Sequence, residues 1–350
     1  MNRRSVTLLA LGIGLVSWAC TSLALADELR HPETVTQATS TTDSVAAPAP
    51  TSVVALPDVS SSVSPSLETP FSIAAAPAED SLPIETSFPT LILPTATPYP
   101  DIPRFSIGRS WEDRDIWAWQ FGDGVYTLVL IGGIHGGAEA NTVRLAELLV
   151  SHFQENPTDV LPGIRLFVIP VANPDGLARG RSLAGRLNAH EVDMNRNWGC
   201  EWSDTAYLRD TPVSPGPRPF SELETMALRT FFLSVSPDAV LFYHSAAGGI
   251  FMGQCGDLAP GVDWMGPLLD AATGYPVRKF TAYDVSGDAT NWLAERNIPA
   301  AVIELYSDEQ PEFERNLNGA MALQCHFALD SIIGAQPDPV LQQRCDAYMR

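Results

Sequence analysis

Short apolar runs alternate with amphipathic stretches along the last two-thirds of the chain. Runs that are rich in Val, Ile and Leu and bounded by turn residues predict four buried strands, which are Tyr126–Ile134, Ile164–Val171, Ala239–Tyr243 and Ala300–Leu305. Apolar residues at three- and four-residue spacing predict three helices, which are Asn141–Gln154, Glu222–Val235 and Glu312–Ile333. This order predicts a single α/β domain with a central mixed, mostly parallel, twisted sheet flanked by helices.

The first 103 residues lack this alternation, and they predict two segments outside the domain. Residues 1–26 contain Arg3 and Arg4, an apolar run and Ala24-Leu25-Ala26, the order of a cleaved secretory signal. A retained anchor helix is the alternative, because Ser5–Ala26 is uncharged and long enough to span a bilayer. Residues 27–103 hold 13 of the 29 prolines and no glycine, which predicts a disordered Pro/Ser/Thr-rich linker, either unmodified or glycosylated. We expect the folded domain over residues 104–335 and a C-terminal tail over 336–350.

The charge of the chain narrows the classes of partner. The sequence has 41 acidic and 21 basic residues, a formal net charge of −20. Nucleic-acid binding depends on clustered positive charge, so the composition argues against a nucleic-acid partner.

Ligand sites in α/β folds lie beyond the carboxyl ends of strands, and the unusual polar residues of this sequence lie there. His135 and Glu139 follow the first predicted strand, and His244 follows the third. Considered alone, each histidine would be interpreted as an ordinary hydrogen-bonded residue. The two histidines and Glu139 together, at the ends of strands, predict a site for one zinc ion. Three protein ligands leave a fourth position open, which is typical of catalytic zinc.

Glu304 interrupts the apolar run Ala300–Leu305. A carboxylate in such a run is costly without a partner, so Glu304 is either part of a salt bridge or a general base beside the zinc. The two histidines favour the base.

Several ordered motifs resemble those of the carboxypeptidase A-like zinc peptidase family, which includes bacterial murein peptide amidases. The motifs are Asn173–Gly176 (NPDG), Asp193–Trp198 (DMNRNW), Pro219–Thr225 (PFSELET), Tyr283–Gly287 (YDVSG) and Asn291–Trp292. His135, Glu139, His244 and Glu304 occur in the family's order, and the match runs from about residue 132 to residue 305. The resemblance implies that residues 104–335 form a zinc carboxypeptidase-like catalytic domain.

The resemblance also implies a role for each matching residue. His135, Glu139 and His244 would bind zinc, and Glu304 would activate the water. The roles implied for the remaining residues are polarisation of the scissile carbonyl by Arg186, capture of the substrate's terminal carboxylate by Asn195 and Arg196, orientation of a zinc-binding histidine by Asp193, and closure over the substrate by Tyr283. Asp288 and Thr290 would lie near the side-chain pocket, where Asp288 either favours a basic or amine-bearing residue or caps the chain locally.

Two departures from the family pattern bear on these assignments. The family usually spaces its first ligands His-x-x-Glu, whereas Ala138 here pushes Glu139 one place further. Gly136 and Gly137 permit unusual backbone angles that can absorb the extra residue. His190-Glu191 stands where the family often has a glycine before Val-Asp, which affects the shape of that loop.

Four cysteines follow residue 26, and four cysteines permit three disulfide connectivities. An even number in an exported protein indicates disulfides. We expect Cys200 to pair with Cys255 and Cys325 with Cys345.

The sequence therefore predicts a secreted or cell-envelope zinc metallocarboxypeptidase that acts on peptides with a free C-terminus, with no stable membrane insertion once the signal is cleaved. A murein peptide amidase, which would act on cell-wall peptides at the γ-D-glutamyl-diaminopimelate bond, is the nearest alternative. An acylase for small acylated amino acids is less consistent with NPDG and Tyr283. A catalytically inactive module that binds peptide C-termini is the alternative from a different class.

Overall fold

A seven-stranded mixed sheet forms the centre of the protein, as seen in a computed structural model that describes residues 103–330 and 338–349. The predicted signal and nearly all of the predicted linker lie outside the described residues. No helix within the described ranges has the length and apolar character needed to cross a bilayer.

The strands are numbered in chain order. They are β1 (Arg104–Arg109), β2 (Asp115–Phe121), β3 (Tyr126–Ile131), β4 (Ile164–Ile169), β5 (Ala206–Leu208), β6 (Thr211–Val213), β7 (Ala239–Ser245), β8 (Gly249–Met252) and β9 (Ala300–Leu305). β5 and β6 form a separate two-stranded antiparallel hairpin.

Helices flank the sheet. They are α1 (Ala140–Glu155), α2 (Pro174–Ala178), α3 (Leu183–Arg186), α4 (Leu223–Val235), α5 (Met265–Thr273), α6 (Ala289–Ala294), α7 (Phe313–Asp330) and α8 (Pro339–Cys345). Two short 3-10 helices cover Pro157–Asp159 and Met194–Arg196.

The sheet order is β1-β2-β4-β3-β7-β9-β8. The four central strands, β4, β3, β7 and β9, run parallel to one another. β2 pairs antiparallel with β4, β1 with β2, and β8 with β9. The parallel centre brings the carboxyl ends of β3, β7 and β9 to one edge, which is where a ligand site is expected.

The four predicted strands are the four central parallel strands, so the predicted α/β class is confirmed. Their uniform burial explains why the sequence revealed them: Leu128, Val129, Leu130 and Ile131 of β3 are each at most 1% exposed. The sequence analysis did not predict the outer strands β1 and β2. β2 buries only about every second residue, and the side chains of β1 are mostly exposed or half-buried.

Apolar side chains pack on both faces of the sheet. One layer joins the sheet to α1, α5 and α7 through residues such as Leu149, Leu269 and Leu323. The other joins it to α4 and α6 through residues such as Phe232 and Trp292. Layers on both faces hold the central strands rigidly, which fixes the side chains at their ends.

Both disulfides pair as the sequence predicted, Cys200 with Cys255 and Cys325 with Cys345. The second one ties α8 to α7, and Leu341 of α8 packs into the core. Residues 338–349, which fall within the predicted C-terminal tail, include α8, and this helix packs on the domain.

Candidate metal centre and active site

Three predicted zinc ligands come together at the carboxyl edge of the sheet. His135 follows β3, Glu139 precedes the first residue of α1, and His244 lies near the end of β7. Nδ1 of His135 is 2.7 Å from Oε1 of Glu139, and Nδ1 of His244 is 3.3 Å from Oε2. One donor atom from each residue falls within 4.8 Å of the others, and all three side chains are buried.

The donor set fits a zinc ion. Two imidazole nitrogens and a carboxylate are the ligands of many catalytic zinc sites. Nε2 of His135 lies 3.4 Å from Oδ1 of the buried Asp193. A carboxylate there favours the proton on Nε2, which leaves the lone pair of Nδ1 directed toward Glu139. Nδ1 of His244 is the ring nitrogen that faces Glu139, and its buried Nε2 has no hydrogen-bond partner among the described residues.

Two glycines make room for the extra residue between His135 and Glu139. Gly136 has a φ of +44°, and a Cβ atom there would lie 2.6 Å from the backbone nitrogen of Leu177. A Cβ atom on Gly137 would lie 2.4 Å from the carbonyl oxygen of Gly180. The tight packing of this turn against the NPDG segment brings Glu139 back to His135 despite the longer spacing.

Opposing effects act on the ionisation of Glu139. Burial raises its pKa, but the electrostatic attraction and hydrogen bonds of the neighbouring His135 and His244 rings outweigh burial and hold the pKa well below its usual range. Glu139 is therefore an ionised carboxylate, the form that binds a metal ion.

Arg186 and Asp193 form a buried ion pair beside the cluster. Nε of Arg186 donates to Oδ2 of Asp193 at 2.8 Å, and Nη1 lies 3.4 Å from Oε1 of Glu139. Burial of Asp193 raises its pKa, but the charge of Arg186 outweighs burial and places the pKa well below the ordinary value. The NPDG turn supports this pair, because Nδ2 of Asn173 donates to the carbonyl oxygen of Arg186 at 3.2 Å.

Glu304 occupies the neighbouring strand. Its Cα is the register partner of the Cα of His244. The N–H of Ala247 donates to its Oε2 at 3.1 Å, and burial raises the pKa of the carboxyl. A carboxyl with a raised pKa is a stronger base than an ordinary one once it is ionised, as general-base catalysis requires.

Asn195 and Arg196 lie on the short 3-10 helix after Asp193. Nδ2 of Asn195 donates to Oδ2 of Asp288 at 2.8 Å, and Oδ1 accepts from the N–H of Ala289 at 3.1 Å. Nη1 of Arg196 donates to the carbonyl of Asn195 at 2.7 Å. The buried Nε of Arg196 has no hydrogen-bond partner within residues 103–330 and 338–349.

Asp288 caps α6. Its Oδ1 accepts from the backbone N–H of Thr290 at 2.8 Å, from the Thr290 hydroxyl at 2.5 Å and from the N–H of Asn291 at 3.2 Å. Oδ2 of Asp288 accepts from Asn195. The contacts of Asp288 are therefore those of a local cap, the alternative to a preference for basic or amine-bearing residues. Tyr283 is half-buried, and its ring meets that of Phe280 edge to face at 4.8 Å.

One cavity of about 1420 Å³ brings all of these groups together. The ten residues predicted to bind metal, contact substrate or catalyse the reaction all line it: His135, Glu139, Arg186, Asn195, Arg196, His244, Tyr283, Asp288, Thr290 and Glu304. A cavity of this size holds a peptide segment rather than a single small molecule.

Sequence reasoning missed two residues that hold the site together. Asn141 is 5% exposed and accepts a hydrogen bond from the hydroxyl of Ser245, the residue after His244. The available signal was a polar amide in the first turn of an amphipathic helix, directly after a predicted ligand.

The donor set is suited to a catalytic metal ion. Residues 91–253 match the family model described as zinc carboxypeptidase, so this part of the chain is similar to that family. The metal of this family is zinc, and the His-Glu-His cluster can bind one ion.

Relatives of known identity include two kinds of enzyme. Carboxypeptidase B of Astacus astacus is 30% identical over 173 residues, which are 43% of this chain and 56% of that protein. Murein peptide amidase A of Escherichia coli K12 is 26% identical over 198 residues, which are 53% of this chain and 74% of that protein. The alignment thus spans little more than half of the carboxypeptidase B.

Solved structures share the fold. Thrombin activatable fibrinolysis inhibitor has a TM-score of 0.57 and 19% identity, covering 66% of this chain and 70% of that chain. Murein-tripeptide amidase from Escherichia coli O157 has a TM-score of 0.50 and 23% identity, covering 63% of this chain and 91% of that one.

Proposed function

We propose that this protein is a zinc metallocarboxypeptidase that hydrolyses the last peptide bond of substrates with a free C-terminus. The buried Nε of Arg196, which has no hydrogen-bond partner in the described part of the chain, carries the proposal. A buried guanidinium donor that borders the cavity is suited to an incoming carboxylate, and charge-assisted hydrogen bonds to a carboxylate are among the strongest in proteins. Asn195, fixed by Asp288, presents its amide beside it.

Different residues of the site would bind the metal ion and stabilise the developing negative charge. His135, Glu139 and His244 would hold the zinc ion, which supplies Lewis acidity when bound. Arg186, oriented by Asp193, would donate to the carbonyl oxygen of the scissile bond as negative charge develops there. A guanidinium suits this role because it stays charged and donates in a fixed geometry.

Proton transfer is the role of Glu304. Its carboxylate would accept a proton from the attacking water and then deliver that proton to the leaving amine. Tyr283, on the loop that borders the cavity, would cover the bound substrate and limit the entry of bulk water.

A murein peptide amidase is the second candidate, because the relative in Escherichia coli K12 aligns over a larger share of its length than the carboxypeptidase B does. The same residues would act on the γ-D-glutamyl-diaminopimelate bond of cell-wall peptides. Asp288 and Thr290 border the cavity where the departing residue would lie, but the capping bonds of Asp288 weaken the argument for a basic-residue preference.

We also propose that the protein is exported to the cell envelope or secreted. The support is the signal-like order of residues 1–26 and the two disulfides, which persist in oxidising compartments. The residues after the cleaved signal would form a spacer between the N-terminus and the catalytic domain.

Mass spectrometry of the full chain with zinc and a mixed peptide panel tests the proposal. The panel contains ordinary peptides and a murein tripeptide, and Glu304→Gln is the matched inactive control. Stepwise loss of single C-terminal residues from ordinary peptides is expected. Cleavage of the murein peptide alone would move the assignment to the amidase, and zinc binding without cleavage of any peptide would favour a binding module.

A further inference from the structure

Asn141 joins the start of α1 to two loops that follow strands of the active site. Its Oδ1 accepts from the hydroxyl of Ser245 at 2.8 Å. Its Nδ2 donates to the carbonyl oxygens of Ser307 at 2.7 Å and Gln310 at 3.2 Å. The amide is 5% exposed, and both of its N–H groups and its oxygen have partners.

The segment 245–247 contacts both a predicted zinc ligand, Glu139, and the predicted base, Glu304. The N–H of Ser245 donates to Oε2 of Glu139 at 3.2 Å, and two residues later the N–H of Ala247 donates to Oε2 of Glu304 at 3.1 Å. The segment 245–247 therefore directs two backbone donors at two different carboxylates. The hydroxyl of Ser245 also donates to Asn141, and Nη1 of Arg278 donates to the carbonyl oxygen of Ala247 at 3.4 Å. Asn141 therefore limits how far the Ser245 end of this segment can move.

The second loop forms another wall of the cavity. Asp308 follows Ser307, borders the cavity and pairs with Arg181 at 2.5 Å. The two bonds from Nδ2 of Asn141 fix the carbonyls on either side of Asp308. One amide thus holds the end of β7 and the loop after β9 against the first turn of α1, which begins at Ala140.

We propose that Asn141 is a positioning residue for the reaction, because it fixes the segment 245–247 in the position from which its N–H groups orient Glu139 and Glu304. This inference rests on the proposed function for its effect on turnover, but its effect on zinc binding is separate. Asn141 does not line the cavity, so it acts through Ser245 and the β9 loop rather than on substrate. Partners that orient metal ligands typically change metal affinity or activity by about 10- to 100-fold when removed.

The test compares single variants of Asn141 and Ser245, and their double variant, with a variant of a matched buried amide. In zinc-loaded full-length protein, Asn141→Ala should lower kcat by about 10-fold or more and leave KM within about twofold, since no substrate contact is lost. Titration of the metal-free protein with zinc against a chelator should show a dissociation constant raised by about 10-fold. Ser245→Ala should give a smaller change of the same kind, and Ser245→Thr, which keeps the hydroxyl, should restore most of it.

The double variant Asn141→Ala/Ser245→Ala tests whether the two residues act through the hydrogen bond between them. Because Asn141→Ala already removes the partner of Ser245, adding Ser245→Ala should change kcat and zinc affinity little further. Gln324→Ala is the control, because Gln324 is a fully buried amide that bonds Leu161 and lies outside the cavity wall. It should lower the melting temperature without changing kcat or zinc affinity.

The outcomes separate the two claims. If wild-type protein binds zinc but cleaves no peptide, the proposed function fails, and the zinc titration still decides the role of Asn141. If Asn141→Ala changes only the melting temperature, as the control does, the positioning role is overturned. If Asn141→Ala does not fold, Ser245→Ala tests the same proposal. Wild-type zinc affinity and kcat in Ser245→Ala would contradict it.

Discussion

Glu304 lies opposite His244 in the register of the parallel strands β9 and β7, with their Cα atoms as direct partners. Side chains that are paired across neighbouring strands point to the same face, so the carboxylate is placed beside the metal cluster by the sheet itself. The position depends on strand pairing in a buried sheet centre, which is among the most rigid parts of a fold.

This relationship predicts that Glu304→Gln separates catalysis from metal binding. Turnover should fall by about 10²- to 10⁴-fold, the usual contribution of a general base, because the amide cannot accept the proton from water. Zinc content by atomic absorption should stay at one ion per chain. Glu295→Gln, at the exposed end of α6, should behave as wild type. Retained activity in Glu304→Gln would remove Glu304 as the base.

The sequence predicted the residues of the candidate site better than it predicted the outer strands of the sheet. His135, His244 and Glu304 follow or interrupt buried apolar runs, and such runs mark parallel strands whose ends meet. β1 and β2 are antiparallel and bury only some of their side chains, so their six and seven residues form no continuous buried run. The role of Asn141 was out of reach, because its partners are 104 to 169 residues away along the chain.

The close packing of the turn between His135 and Glu139 predicts that neither glycine tolerates a side chain. Gly136→Ala and Gly137→Ala should each weaken zinc binding by at least about 10-fold, since an added Cβ displaces the turn that carries Glu139. Chelator competition measures the affinity. Gly266→Ala in α5 is the control, because its Cβ would find ordinary contacts no closer than 3.4 Å. Wild-type zinc affinity in Gly136→Ala would show that the turn has room to adjust.

The two disulfides should differ in what their removal does to catalysis. Loop-closure entropy predicts a loss of about 4 kcal/mol for Cys200–Cys255, which spans 55 residues, and about 3 kcal/mol for Cys325–Cys345, which spans 20. Gln254 and Glu201 adjoin the first disulfide and border the cavity. The Cys200→Ala/Cys255→Ala variant should therefore also raise KM, whereas Cys325→Ala/Cys345→Ala should leave KM unchanged. Chemical denaturation and steady-state kinetics measure both effects, and equal KM values in the two double variants would exclude a link between the first disulfide and the cavity.

Glu224 should make stability depend on pH. It is fully buried, and burial raises the pKa of its carboxyl despite hydrogen bonds from Asn188 and Trp111. A carboxyl with a raised pKa in the folded state binds its proton more tightly there than in the unfolded chain. Its contribution to stability is therefore present below the unfolded value of about 4.3 and is lost as pH rises through the folded value.

Glu224→Gln removes this titration, so the stability of the variant relative to wild type should rise with pH across that window. Urea unfolding at a series of pH values gives the two free energies of unfolding. Glu147→Gln, at an exposed position of α1, should follow the wild-type curve. A difference between Glu224→Gln and wild type that stays constant with pH would show that Glu224 titrates normally.

The most direct test of the central claim is the ratio of kcat/KM for one peptide with a free C-terminal carboxylate and for the same peptide with a C-terminal amide, measured with zinc-loaded protein. Because Asn195 and Arg196 are proposed to bind that carboxylate, the free acid should be cleaved at least about 100-fold more efficiently, as expected for loss of charge-assisted hydrogen bonds. Arg196→Ala should reduce the ratio mainly by raising KM for the free acid. Equal cleavage of the two peptides would contradict a carboxypeptidase.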